Sequence, residues 1–401
     1  MKQFLIFFLF QIGVLKGQEL SPGFYHAELC LNKEKNIVLP FTLSIQADKS
    51  ITFYNGEEAI ECKELNIQRD SFILKMPIFD SEFHFISNKK ELTGYWFNNS
   101  RSTKNKIPFR ATTKKTTRFI HPKRKHNEFF SGRWEVTFGD DSISSNKAVG
   151  IFKVKNGIAS GTFLTETGDY RFLEGITTET QILLSCFDGS HAFLFIAEMN
   201  PLGEIIGRFY SGSHWEENWK GKKNTNFSLR KADEITQIEE PNSQLNFKFI
   251  NIHGQTVTLE YEKFRNKIVI LQLMGSWCPN CMDETKYFSE LYEKFKPNGL
   301  EIVGICFERT EDTLKARKNI LRLKERFNVN YELLVTGLSG KEKASETFPM
   351  LSKVSAFPTT LYLNRDKKIV RVHSGFSGPA TGEEYEKFKS ETEKLILDLL
   401  K

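Results

Sequence analysis

Cysteine is scarce: six in 401 residues. That excludes a small fold stapled by disulfides. Two readings survive, scattered buried thiols or one compact redox or metal centre, and spacing has to separate them. Charge of one sign is scarce too. The 56 basic and 50 acidic side chains leave +6, too slight an excess to argue for a nucleic-acid partner. Long apolar runs are missing after the first 15 residues, so no later stretch approaches the roughly 20 residues that a spanning helix needs. Aromatics, by contrast, are plentiful. The 36 phenylalanines and 11 tyrosines are residue types that favour strands. The 39% hydrophobic and 26% charged fractions belong to a globular chain, and its length points to two or three domains.

Residues 1–18 read as an export segment. Lys2 precedes the apolar run Phe4 to Leu15, and the small residue Gly17 follows. A charged start, a short apolar core and a small residue at the cut describe a signal peptide. Cleavage is expected near Gly17, which places the mature protein in the periplasm, where disulfides persist; an uncleaved anchor is the other reading.

From residue 19 to 230 short apolar runs alternate with Gly, Asn, Asp and Ser, as in Ile51-Thr52-Phe53-Tyr54 before Asn55-Gly56. Such runs predict antiparallel β structure. An internal repeat is visible. Pro22-Gly23-Phe24-Tyr25 matches Ser131-Gly132-Arg133-Trp134, Phe79-Asp80 matches Phe187-Asp188, and Leu92-Thr93-Gly94 matches Ile205-Ile206-Gly207, at offsets of 109, 108 and 113. Two tandem all-β units follow, over 19–115 and 127–230, each a barrel or a sandwich. The basic residues between them, including Lys114, Lys115, Arg118 and Lys123-Arg124-Lys125, read as a solvated connector. Cys30 and Cys62 could pair within the first unit, and Cys306 reads as a small buried hydrophobe. A polar linker spans 231–243.

After the linker the pattern changes. Lys267 to Met274 reads as a buried strand running into Gly275-Ser276-Trp277-Cys278-Pro279-Asn280-Cys281. A helix should start there and stop at Pro297-Asn298-Gly299. A strand over 301–307 and a charged helix over 313–327 come next, an order that argues for parallel βαβ pairing. Cys-x-x-Cys at a strand-to-helix junction is a redox device. The helix N-terminus stabilises a thiolate on Cys278, Pro279 suits the first helical position, and Cys281 lies one turn on, within reach of a mixed disulfide at Cys278. A zinc site would need a second ligand pair at suitable spacing; Cys306, His253 and His373 are isolated, so no metal is expected.

Trp277-Cys278-Pro279-Asn280-Cys281 resembles the active site of the thioredoxin superfamily, and Phe357-Pro358-Thr359-Thr360 resembles its cis-proline loop. The resemblance implies an α/β thioredoxin-like domain over 244–401, three layers around a mixed sheet. It places Trp277, Pro279, Phe357, Pro358 and Thr359 where substrate binds. Within the superfamily the sequence is similar to the TlpA/ResA-like exported thiol-disulfide oxidoreductases. That similarity implies a proton-handling role for Glu284, three residues after Cys281, beside the catalytic pair Cys278 and Cys281. It also implies protein-disulfide substrates, a membrane-borne thiol donor and no cofactor besides the cysteine pair. One departure stands out: Gln272 occupies the position where many thioredoxins carry a buried aspartate. Two other functions compete. A peroxiredoxin-type peroxidase would have Pro at position 271 and Thr or Ser at 275, where this chain has Leu271 and Gly275. A binding protein would use the β region as its working part.

Overall fold

The structure is a computed structural model that describes residues 20–68, 70–88, 90–101, 103, 106–113, 118–119, 126–140, 146–239 and 245–401. The expected export segment and its cleavage point lie outside the described residues. So do Lys114, Lys115, Lys123, Arg124 and Lys125, and the junction at 240–244. Among the described residues no helix is long and apolar enough to cross a membrane.

The first two units are all β and barrel-like. Among the described residues each is a nine-stranded sheet. In the second, Asn146–Lys155 pairs with both Gly132–Phe138 and Ile158–Thr165, which closes the ring. In the first, the two end strands, Glu58–Cys62 and Leu65–Ile67, are consecutive in the chain. In both barrels strands such as Ser81–Asn88 and Gly132–Phe138 alternate buried and more exposed residues, because one face of each strand fills the barrel.

The repeat seen in the sequence has a physical basis in the backbone. Tyr25 and Trp134 are both buried, and each donates a hydrogen bond to the carbonyl four residues earlier: Tyr25 Oη to Ser21 O at 2.7 Å, Trp134 Nε1 to Phe130 O at 2.9 Å. Gly94 and Gly207 match as well. A Cβ on either would lie 2.0 Å from His84 O or 2.1 Å from Ile196 O, so only glycine lets these strands meet their neighbours.

The barrels are not independent. Phe187 of the second projects into the first, with ring centroids 4.9 Å from Phe41, 5.4 Å from Phe53 and 5.1 Å from Trp96. The Asn55 side chain holds it there, donating to Phe187 O at 2.8 Å and accepting from Phe187 N at 3.0 Å. Arg118, expected in a solvated connector, is buried at this seam instead. It bonds Tyr54 O, Ser185 Oγ at 3.1 Å and Asn55 Oδ1 at 3.3 Å, because carbonyls exposed between two barrels need a donor.

The C-terminal sheet has seven strands in the order Thr256–Thr258, Lys248–Asn251, Glu332–Val335, Leu300–Cys306, Ile268–Met274, Thr359–Leu363, Ile369–Ser374. Its three central pairings are parallel, parallel and antiparallel, the mixed sheet expected. Helix α1 (Pro279–Phe295) connects Ile268–Met274 to Leu300–Cys306, and α2 (Thr313–Phe327) connects Leu300–Cys306 to Glu332–Val335. The predicted stop at Pro297-Asn298-Gly299 is a 3-10 turn ending on Gly299 at φ 108°. Helix α3 (Gly340–Thr347) precedes the proline loop, and α4 (Glu383–Leu400) packs on α1, with the Tyr287 ring 5.8 Å from that of Phe388.

Four cysteines are free thiols: Cys30, Cys62, Cys186 and Cys306. The pairing considered for Cys30 with Cys62 does not occur. Their strands, Gly23–Asn32 and Glu58–Cys62, are separated by two others in the sheet, a gap of about 14 Å at the usual strand spacing, far beyond disulfide reach.

Candidate active site

Strand Ile268–Met274 is buried along its whole length and delivers Trp277 and Cys278 to the start of α1. Cys278 is the N-cap residue, and its Sγ accepts a hydrogen bond from Cys281 N at 3.2 Å. Pro279 takes the first helical position, where a missing N–H leaves nothing unpaired. Cys278 and Cys281 form a disulfide. Cys278 is 6% exposed and Cys281 fully buried, so Cys278 is the sulfur a partner can reach.

The proline loop faces it. The Phe357–Pro358 bond is cis, and Phe357 O lies 3.5 Å from Cys278 Sγ. Phe357 stacks on Phe307 at 5.7 Å and meets Trp277 edge-on at 6.0 Å. Trp277 is fixed by a bond from its Nε1 to Phe307 O at 3.0 Å and carries Arg309 on its ring at 4.0 Å. Pro358 is buried and its carbonyl accepts from Gly375 N at 2.8 Å. Thr359, expected among the substrate-binding residues, is turned inward. It is fully buried, and its hydroxyl donates to Ala356 O at 2.8 Å, so it braces the loop from below.

Glu284 lies beneath the cysteines, fully buried. Gln272 Nε2 donates to its Oε2 at 2.9 Å and lies 3.5 Å from Cys281 O. The Thr360 hydroxyl is 2.9 Å from one carboxyl oxygen and 3.0 Å from the other. Gln272 and Thr360 stand directly opposite on paired strands, so the sheet register makes the clamp. Burial pushes the Glu284 carboxyl up to about 8, against the opposing pull of these hydrogen bonds. A hydroxyl can accept from the acid and donate to the carboxylate, so Thr360 serves both protonation states. The sequence pointed to Gln272 and Glu284 separately; their contact, and Thr360 as third member, needed the fold.

The second barrel also belongs to the site, which the sequence did not disclose. Asn280, between the cysteines, has its side-chain Nδ2 3.3 Å from Asp169 O and 3.4 Å from Phe376 O. Asp169 in turn accepts from Gly378 N at 2.6 Å. Burial, with Asp283 nearby, raises the Asp169 carboxyl to about 6. Arg171 is buried among carboxylates of three bodies. It bonds Asp283 on α1 and Glu58 of the first barrel, and its Nε is 3.7 Å from Asp188. Burial alone would lower its pKa, but Asp283, Glu58 and Asp188 together raise it and keep it charged. Ser190 Oγ lies 3.5 Å from Trp277 O. Between these contacts a cleft of about 630 Å³ leads to Cys278.

Residues 240–372 match the family described as AhpC/TSA. A thiol-disulfide oxidoreductase ResA of Bacillus thuringiensis is 26% identical over 140 residues, 35% of this chain and 72% of that protein. The ResA of Bacillus subtilis is 27% identical over 138 residues, 34% and 69% of the two chains. Among solved structures, a thiol:disulfide interchange protein of the thioredoxin family from Chlorobium tepidum covers 40% of this chain and 98% of its own, at 15% identity and TM-score 0.31. A thiol-disulfide oxidoreductase from Bacteroides fragilis covers 36% and 96%, at 17% identity and TM-score 0.28.

Proposed function

We propose, from a C-terminal domain that is a thioredoxin-superfamily redox domain, that the chain is an exported thiol-disulfide oxidoreductase working as a disulfide reductase. The observation that carries this is the Cys278–Cys281 disulfide at the head of α1, with Cys278 facing the cis-Phe357-Pro358 loop and opening on a cleft. The ResA relatives, named as thiol-disulfide oxidoreductases, support it.

The chemistry follows from the positions. In the reduced protein the Cys278 thiolate, stabilised by the free N–H groups of α1, attacks one sulfur of a substrate disulfide. That S–S bond breaks, and the departing thiolate takes up a proton. Cys281 then attacks Cys278 Sγ in the mixed disulfide. The second substrate thiolate leaves and is protonated, two electrons have passed to the substrate, and the Cys278–Cys281 bond has formed. A membrane-borne dithiol donor returns the electrons. Glu284 holds a proton near neutral pH, the condition for a group that gives it up or takes it back as Cys281 changes state. Phe357 O offers the acceptor that would align an extended substrate backbone over Cys278.

A peroxidase reading is weaker. Position 271 is a leucine in mid-strand, opposite Val303 and Leu361, and the resolving thiol is three residues from Cys278.

Cys281→Ser should accumulate mixed disulfides through Cys278, and Cys278→Ser should abolish reduction of a model disulfide by a thiol donor. Undiminished turnover in Cys278→Ser would remove the mechanism. Peroxide-dependent turnover exceeding disulfide turnover would reverse the ranking.

A further inference from the structure

The cleft over Cys278 has walls from all three bodies. Arg101 comes from the first barrel, Lys147 and His191 from the second, and Trp277, Cys278 and Arg309 from the redox domain. Its about 630 Å³ falls within the range of small-ligand pockets. A cleft walled by three bodies admits a short or extended segment far more readily than a globular face, and in-line attack requires the substrate sulfur to come to Cys278. The substrate disulfide therefore belongs to something short or extended.

Charge narrows it further. Lys147 is already engaged, 3.3 Å from Glu135. Glu166, on the rim, is neutralised by Arg230 at 2.5 Å. Asp169 and Glu217 are the remaining carboxylates on the wall; burial raises both, Asp169 to about 6, and Asp169 is turned to Gly378 N at 2.6 Å and feels the charge of Arg171. Arg101 and Arg309 have no carboxylate within ion-pair distance among the described residues. They come from different bodies yet stand close enough for the charge of Arg101 to act on Arg309, whose pKa is lowered by burial and then by that neighbour. Arg309 is oriented by the Trp277 face and by Ser100 Oγ, 3.4 Å from its Nη1. Glu308 acts on Arg309 only at a distance, its carboxylate being bonded to Ser276, and two guanidinium groups without an ion-pair partner beside a reactive sulfur form a receptor for carboxylate.

We propose that the cleft binds a short acidic peptide disulfide, with Arg101 and Arg309 receiving its carboxylates while Cys278 attacks its sulfur. This deepens the reductase reading and rests on it. The electron flow is the exchange described above, with the peptide disulfide as oxidant and the cysteine pair as reductant.

The test compares initial rates of the reduced full chain on oxidised glutathione, the disulfide of an unstructured acidic peptide, neutral 2-hydroxyethyl disulfide and folded insulin. The two acidic disulfides should exceed the neutral one by about tenfold in kcat/KM, with insulin slowest. A lead for glutathione assigns a free small disulfide, and a lead for the peptide an extended protein segment. Arg101→Gln with Arg309→Gln should lower the acidic-to-neutral ratio by about tenfold, and Arg309→Lys, which keeps a charge, should retain most of it. Salt near 0.5 M should reduce the same ratio in the unmodified protein, a measurement independent of any variant's folding. Equal rates on acidic and neutral disulfides, or insulin matching the peptide, would overturn the proposal while leaving the reductase in place. Failure on every disulfide, the neutral one included, would overturn both.

Discussion

Replacing Glu284 by glutamine gives the most direct measure of the buried acid. Its carboxyl stands at about 8 in the fold against 4.5 ordinarily. Because the folded value is the higher one, the native chain keeps a proton that the unfolded chain releases. The stabilisation is fully present below pH 4.5 and lost as pH rises to about 8. At about 1.4 kcal/mol per pH decade, the loss between about pH 5 and pH 8 is on the order of 3–4 kcal/mol. Glutamine is neutral throughout. Its carbonyl can accept from Gln272 and its amide can donate to Thr360, replacing the contacts at 2.9 Å. Other titrating groups, Asp169 among them, are common to both proteins and cancel in the difference. Urea unfolding from about pH 5 to pH 9 should therefore show Glu284→Gln gaining on the parent as pH rises, the gap widening by about 3 kcal/mol. The pH profile of Cys278 alkylation should shift in the same variant. Stability curves that stay parallel would show that Glu284 ionises normally, and the proton role would fall with them.

Further predictions concern the seams. Phe187→Ala empties a ring site in the first barrel from the second and should cost about 3–5 kcal/mol, read as a lower urea midpoint for both barrels together; loss confined to the second barrel would refute the shared core. Arg171→Met leaves the carboxylates of Asp283, Glu58 and Asp188 facing one another and should cost about 3–5 kcal/mol at pH 8. Part of that should return near pH 5 as the carboxyls are protonated, and a pH-independent loss would mean that packing alone is at stake. Gly168→Ala places a Cβ 1.9 Å from Asn280 Nδ2 at φ 145°. It should slow disulfide turnover with little effect on the isolated thiol's alkylation rate; unchanged turnover would separate this hairpin from the site.

What the sequence revealed and what it hid divide along contact distance in the chain. The Cys278–Cys281 pair is local, its helix start follows from Pro279, and α2 begins at Thr313 because Asp312 caps it, accepting from Leu314 N at 2.9 Å. These were legible. The cis-proline loop was legible through its likeness to a known motif. The clamp on Glu284 was not, because Gln272 and Thr360 meet only once two strands 88 residues apart choose a register. The roofing of the site by the second barrel was less visible still, since Arg171 and Asp283 are ordinary charges until packing brings them together. The repeat could be read because its marks are glycines and aromatics at fixed places. Arg118 misled because a basic run usually means solvent, whereas the seam between barrels needed a donor.

The free thiols have a practical consequence. Cys62 lies in the first barrel, Cys186 in the second and Cys306 in the redox sheet, all buried. Burial pushes Cys62 up to about 12 and raises Cys186 and Cys306 well above the ordinary thiol value, so in the native protein all three are shielded from reagents and from exchange with the working pair. Each becomes labelled only when its own body opens. The chain thus carries three built-in clocks, one per body, and mass-resolved alkylation against time would give the order in which the molecule comes apart without adding a single probe.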